Sequence, residues 1–303
     1  MNLPNWARGS LLVLFGAFLW GTLVVFTKGA SHLEPMSVAT LRAGMAALGC
    51  FLWFGLKAPA VLKVRLRTLA LLAVYGGVTA AFLYGGFTVA LRYLSVATAE
   101  VIFFTFPLFT TLAGIFVLRE RPAASQILAC FLIIVGVFSM TALTGRDAAQ
   151  AAFPLPGIAA AVISLVGMTL QSLVGRKNAR KNWLPTETLF SYAQLFGFLW
   201  LALYKSLTSG WGDIAAIAPG SWLLLCYMGF VSTLMGYGAY NLGLRYIEAA
   251  TASMLASFEM VTAVALAALF LGTPPTAGEI VGCIVILAAL VLGTRSAKHQ
   301  GSA

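Results

Sequence analysis

Charge is what this chain has least of. Only 9% of its 303 residues are Asp, Glu, Lys or Arg, where a soluble domain carries about 25%. Histidine occurs only at His32 and His299, and aspartate only at Asp147 and Asp213. No His/Cys/Asp cluster has metal-ligand spacing. There is no G-x-x-x-x-G-K-[ST] run to cradle nucleotide phosphates, which excludes ATP hydrolysis by that route. Cys50, Cys130, Cys226 and Cys283 all fall inside predicted helices and form no C-x-x-C pair. A disulfide framework and a cysteine metal site are therefore not indicated, and small apolar packing residues remain. An enzyme needs clustered acids, bases or nucleophiles. Their scarcity counts against a membrane-embedded enzyme, the rival class here, and no cofactor or metal is expected.

Apolar residues fill the space that charge leaves. They make up 60% of the chain, and the mean hydropathy is +0.93. Ten segments are long enough to span a bilayer: 8–30, 35–57, 66–91, 94–118, 122–144, 154–176, 183–206, 219–244, 248–271 and 275–294. A helix needs about 20 apolar residues to do so. Backbone amides in hydrocarbon must be bonded internally, which favours helices. A transmembrane β-barrel would show alternating segments of about 10 residues and is excluded. The first segment exceeds a signal-peptide core and no small-residue cleavage site follows it, so it reads as helix 1.

The net charge of +10 invites a nucleic-acid reading, but the placement of the basic residues argues for orientation instead. Arg8, Lys57, Lys63, Arg65, Arg67, Arg119, Arg121, Arg176, Lys177, Arg180, Lys181, Arg245, Arg295 and Lys298 flank one side of the predicted spans. Lys28, Arg92, Arg146 and Lys205 flank the other, and Arg42 lies inside helix 2. By the positive-inside rule both termini are cytoplasmic.

The second half repeats the first. Tyr84-Gly85, Leu91-Arg92-Tyr93, Ala97-Thr98-Ala99, Leu118 and Pro122 recur as Tyr237-Gly238, Leu244-Arg245-Tyr246, Ala250-Thr251-Ala252, Leu271 and Pro275, each 153 residues later. Each half carries five spans. Five is odd, so the second copy crosses in the opposite sense. Inverted repeats, here 1–146 and 147–303, are a construction plan for secondary transporters, with the substrate near the middle of the membrane where the repeats meet. Pro107 is expected to kink helix 4. Its counterpart is Met260, so the two halves are expected to differ mechanically. Gly278 and Gly282 form a G-x-x-x-G spacing, read either as internal packing or as a dimer contact. The chain is expected to be a monomer or weak dimer.

The repeat locates candidate site residues. Thr79 and Ser232 are midpoints of helices 3 and 8, and Tyr84 and Tyr237 form a second symmetric pair slightly further along. Trp20 is mid-helix 1 and Ser164 mid-helix 6. Each hydroxyl could instead satisfy its own helix carbonyl. Among ionisable groups within the membrane, which usually face a partner or a wet cavity, Glu259 is the deepest acid. It reads either as a structural partner of Arg42 or hydroxyls, or as a proton-carrying or substrate-contacting group. Arg42 reads as structural, and Glu100 is undecided.

These residues resemble the drug/metabolite transporter superfamily, specifically ten-helix EamA-type exporters. Phe18-Leu19-Trp20-Gly21 with Lys28 is similar to that family's W-G…K, and Glu34-Pro35 with Arg42 to its P…R. Leu118-Arg119-Glu120-Arg121 is similar to its L-G-E-R, with Arg for Gly. Leu271-Gly272-Thr273-Pro274 departs from it, with Thr for Glu. Pro107 fits the family's helix 4 proline, whereas Glu259-Met260 stands where E-P is common. The length and aromatic richness resemble the YddG branch, exporters of aromatic and other neutral amino acids. The resemblance implies a cavity lined by helices 1, 3, 4, 6, 8 and 9, with 2, 5, 7 and 10 supporting. The reading is an all-α integral membrane protein of a bacterial inner membrane. It exports small neutral or aromatic amino acids by alternating access, with protons as a candidate coupling ion. An uncoupled channel or facilitator, or an exporter of drugs or other metabolites, is the alternative within transport.

Overall fold

The structure is a computed structural model that describes residues 3–30, 33–142 and 154–300. His32, Arg146, Asp147 and the expected boundary at 146/147 lie outside the described residues, as do the side chains of Lys28, Arg295, Lys298 and His299. Every regular element described is helical. Among the described residues, nine helices are long and apolar enough to cross a membrane: α1 (Asn5–Phe26), α2 (Pro35–Lys57), α3 (Leu66–Ala90), α4 (Val96–Val117), α5 (Ala124–Thr141), α6 (Leu155–Lys181), α8 (Pro219–Gly243), α9 (Ala249–Leu271) and α10 (Ala277–Thr294). Between α6 and α8 lies α7 (Thr186–Thr208), the segment expected as a span over 183–206. At 23 residues it is long enough, but it is too polar to rank with the other nine. Thr186, Thr188, Ser191, Tyr192, Gln194 and Lys205 are all buried along it.

The polar face of α7 is turned inward and used. Thr188 Oγ1 donates to the Val61 carbonyl at 2.5 Å, Tyr192 OH to the Leu62 carbonyl at 2.8 Å, and Ser191 Oγ to the Glu187 carbonyl at 2.7 Å. Buried polar groups must find such partners, and here Thr188 and Tyr192 pin α7 to the chain leaving α2. The lipid-facing surface is apolar: Leu56, Leu66, Phe116, Leu155, Leu223 and Leu269 are each more than 75% exposed. α6 outruns its expected end at 176 because Arg176–Lys181 is a helix-favouring polar extension, capped by Asn182 in the left-handed conformation at φ 50°. Asn178 fixes the turn that follows, with Oδ1 accepting from the Leu184 amide at 3.0 Å and Nδ2 donating to its carbonyl at 2.9 Å.

Packing follows a two-fold pattern. α3 packs on α6 as α8 packs on α1; α2 packs on α8 as α7 packs on α3; α1 packs on α9 as α6 packs on α4. α5 pairs with α10, α2 with α7 and α4 with α9. Small residues set the spacing of these crossings. A Cβ at Gly16 of α1 would lie 2.6 Å from the Gly236 carbonyl oxygen of α8, so only glycine fits. Gly282 of α10 lies against Gly136 and Met140 of α5, so this glycine of the G-x-x-x-G spacing is spent on internal packing.

Local irregularities recur at the same offset. α3 widens to a π-helix over Gly77–Ala81 and α8 over Tyr227–Tyr237. α4 is interrupted at Phe104 and Thr105, and α9 at Ser257. The expected break in α4 is therefore present, and α9 has one too. The interruption precedes the proline in α4, and α9 is interrupted without one. In both, tight i→i−3 bonds form around the break, Thr105 amide to Ile102 carbonyl at 3.2 Å and Met260 amide to Ser257 carbonyl at 3.1 Å. Met260, the counterpart of Pro107, donates from an amide that proline lacks, so the two halves still differ in bonding at the break. After α4 and α9 the chain turns through a left-handed residue, Arg119 at φ 55° and Gly272 at φ 61°, again 153 apart.

Candidate functional site

The middle of the molecule holds an aromatic cluster built from α1, α3 and α8. The Trp20 ring lies 4.3 Å from that of Tyr237 and 5.6 Å from that of Tyr240. Tyr237 meets Tyr84 edge to face at 5.6 Å. Trp20 is seated by Gly236, whose missing side chain leaves room for the indole. Arg42 of α2 places its guanidinium 5.5 Å from the Tyr84 ring centre and donates from Nε to Thr233 Oγ1 at 3.1 Å. Tyr84 OH and the Gln194 side chain of α7 are 3.3 Å apart. Ser172 Oγ and Tyr240 OH close the far side at 2.6 Å. Glu259 of α9 is half-buried and lies within electrostatic reach of Arg42, Glu100 and Tyr237.

Of the residues expected from sequence, Trp20, Tyr84 and Tyr237 therefore come together, with Glu259 beside them. The three hydroxyls differ from one another. Thr79 Oγ1 donates to its own helix at the Tyr75 carbonyl, 2.6 Å away. Ser164 Oγ ties α6 to α3 through the Leu83 carbonyl at 2.8 Å. Ser232 is fully buried, and its Oγ has no hydrogen-bond partner among the described residues, as is true of Trp20 Nε1. An unsatisfied buried donor is costly, so these two atoms are where the cluster has polar capacity to spare. Sequence reasoning missed Gln194, Thr233 and Tyr240. It also assigned α2 and α7 a supporting role, whereas Arg42 and Gln194 reach the centre from them. The signal for Gln194 was present: it is a polar residue near the middle of a long helix.

Charged networks close the two ends. At one end Arg92 donates to Glu34 Oε1 at 2.8 Å, and at the other Arg245 donates to Glu187 Oε1 at 3.3 Å. Both members of the second pair follow the first by 153 residues. The Glu34 end carries a further cation, Lys205, whose side chain is fully buried between Glu34 Oε2 at 3.4 Å and Asp213 Oδ1 at 3.0 Å. Ser37 Oγ bonds both carboxylates, and the Lys205 ammonium lies 5.5 Å from the Trp211 ring centre. Burial alone would raise the Glu34 carboxyl; the Ser37 and Met36 amides and the Lys205 charge outweigh it and hold the group below the usual carboxylate range. Asp213 is lowered likewise, with burial opposed by Ser37 and Lys205. Among the described residues, no three His, Cys, Asp or Glu side chains gather where they could hold a metal.

The described residues form a bundle of long apolar helices with a buried aromatic centre and charged networks at both ends. Comparison with known proteins gives the family. The EamA-like transporter family model matches residues 7–142 and 155–295, and the chain belongs to that family. A solved crystal structure superimposes over 97% of this chain and 99% of its own with a TM-score of 0.82; at 19% identity it supports the fold alone. The chain is 26% identical to the probable amino-acid metabolite efflux pump of Salmonella typhimurium, covering 94% of each protein. It is 24% identical to the uncharacterized transporter YyaM of Bacillus subtilis, covering 91% of this chain and 90% of that one. It is 26% identical to the uncharacterized inner membrane transporter YhbE of Escherichia coli, covering 82% and 76%. The protein is a multi-pass transporter of a bacterial inner membrane.

Proposed function

We propose that the protein exports small neutral or aromatic amino acids and related metabolites by alternating access between two inverted five-helix repeats. The repeats are residues 1–146 and 147–303, with ten membrane-crossing helices and both termini in the cytoplasm. The observation that carries this reading is the contact between Tyr84 and Tyr237. They are equivalent residues 153 apart, and they touch where the two halves meet, the place at which a rocking carrier holds its substrate. Trp20 packs beside them, and Arg42 offers a guanidinium in reach. An aromatic wall accepts a flat apolar side chain, while a guanidinium and spare donors at Ser232 and Trp20 suit a carboxylate and an amino-acid backbone. Substrate-binding roles thus fall to Trp20, Tyr84, Ser232 and Tyr237. Thr79 and Ser164 spend their hydroxyls on the Tyr75 and Leu83 carbonyls, on either side of the π-widened part of α3. Glu259, beside Arg42, is the coupling carboxyl.

The name of the Salmonella typhimurium relative agrees with an amino-acid-like cargo. The ion pairs at the two ends suit alternate closures, because such pairs form and break at modest cost where water can reach them. The test is uptake of radiolabelled phenylalanine, alanine and lysine into proteoliposomes of the purified protein, with and without an imposed pH gradient. Saturable, gradient-dependent uptake of the first two and none of lysine is expected. Uptake that does not saturate would make the protein a channel, and preference for lysine would remove the assigned cargo.

A further inference from the structure

The end of the molecule that carries Arg245 and Glu187 also contains a cleft of ≈ 400 Å³ lined by Arg119, Glu120, Arg121, Arg176, Arg180 and Glu248. Arg176 and Arg180 are committed to the protein. Arg176 pairs with Glu120 at 3.1 Å and donates to the Leu244 carbonyl at 3.0 Å, and Arg180 donates to the Leu118 carbonyl at 2.6 Å. Glu120 is neutralised by that pair and also accepts from the Ala249 amide at 3.3 Å. Two atoms in the cleft are left over, and they are of opposite character. Arg119 makes no hydrogen bond or ion pair among the described residues, although it is held in the left-handed conformation at φ 55°. That conformation costs a side-chain-bearing residue free energy that glycine does not lose, and the repeat-equivalent Gly272 shows the less costly solution. Glu248 Oε2 is a buried acceptor without a donor.

We propose that this cleft binds a phosphate group that carries a neighbouring hydroxyl, with Arg119 on the phosphate and Glu248 Oε2 accepting from the hydroxyl. Four arginines against two glutamates leave the cleft cationic, so an anion is the ligand that electrostatics favours. A guanidinium fork matches phosphate oxygens, and the hydroxyl supplies the donor that Glu248 lacks. Arg119 lies two residues beyond α4, whose last turn bears Phe116, 83% exposed. A glycerophosphate headgroup could therefore sit in the cleft with its acyl chains along Phe116, and soluble glycerol phosphate presents the same groups without chains.

The test uses the purified full-length protein in neutral detergent. Thermal unfolding is followed against dihexanoyl phosphatidylglycerol, glycerol 3-phosphate and dihexanoyl phosphatidylcholine, for the parent and for Arg119→Gly, a change that the left-handed backbone favours. A saturable rise in Tm with phosphatidylglycerol alone assigns the site to lipid, and one with glycerol 3-phosphate assigns it to a soluble phosphate. In either case Arg119→Gly should weaken the apparent affinity about fivefold, equivalent to about 1 kcal/mol for one arginine near an anionic group. No rise with either anion, an equal rise with phosphatidylcholine, or an unchanged affinity in Arg119→Gly overturns the proposal. None of these outcomes depends on what the carrier transports.

Discussion

Tyr84 and Tyr237, 153 residues apart, meet edge to face at 5.6 Å. For two residues at matching places in two halves to touch, both must lie at the axis that relates the halves. The Glu34–Arg92 and Glu187–Arg245 pairs lie far from that axis, one at each end. Together they describe a molecule whose centre is aromatic and whose two ends carry equivalent ion pairs.

If the halves are inverted, Arg92 faces the outside and Arg245 the cytoplasm. Single cysteines at these positions, in a protein whose four native cysteines are replaced by alanine, should react with a membrane-impermeant maleimide from opposite sides of intact cells and inverted vesicles. Labelling of both from one side would rule out inversion and the cytoplasmic placement of both termini together.

Trp20→Ala should reduce export of phenylalanine analogues about fivefold more than export of alanine analogues, since an aromatic pair contributes about 1 kcal/mol beyond its buried area. Resistance of expressing cells to the two toxic analogues, at matched protein level, measures the ratio. An equal loss for both would make Trp20 a packing residue.

Ser232→Ala and Thr79→Ala separate a spare hydroxyl from an occupied one. Thr79 already bonds the Tyr75 carbonyl, so its removal should leave the apparent KM for substrate unchanged. Removal of the Ser232 hydroxyl costs the protein no bond but should raise the KM about fivefold, the worth of one hydrogen bond of about 1 kcal/mol. Transport kinetics in proteoliposomes decide it, and a KM unmoved by Ser232→Ala would take Ser232 out of the site.

Glu259→Gln keeps the size and hydrogen bonding of the side chain and removes its titration. Because Glu259 faces Arg42 and Glu100, its proton occupancy is coupled to their charges and, through Arg42, to an anionic substrate group. The variant should lose acceleration by an imposed pH gradient while retaining exchange of labelled for unlabelled substrate. Retained acceleration would assign Glu259 a structural role.

Lys205 supplies the buried charge at the Glu34 end. Lys205→Met should lower the Tm, with a cost of about 2 kcal/mol, below that of a fully buried pair because water reaches Glu34 and Asp213. Both carboxyls are held below their ordinary values in the folded protein. The folded state therefore binds fewer protons than the unfolded one there. The stability they add is present at neutral pH and is lost as the pH falls below about 4. Between pH 6 and 3 the parent should lose Tm more steeply than Lys205→Met, and parallel curves would show that the network contributes no such stability.

The sequence by itself determined the helices and most of their limits. Hydrocarbon leaves the backbone no partner but itself, so 35–57 could be read to the residue and the rest to within a few. The 153-residue offset and the identity of the aromatic pair Tyr84 and Tyr237 were legible too, because they are written in residue types. α7 was harder to rank as a span, since its inward polar face lowers its hydropathy while serving Val61 and Leu62. Only the tertiary structure decided which polar atoms are free. A helix pattern cannot say that Thr79 and Ser164 spend their hydroxyls on carbonyls while Ser232 does not, because those partners lie one turn back or on another helix. Nor can it bring Arg42 and Gln194 to Tyr84 from α2 and α7. The left-handed turn at Arg119 stayed hidden for the same reason: its φ is set by how α4 meets its neighbours, and arginine does not announce it.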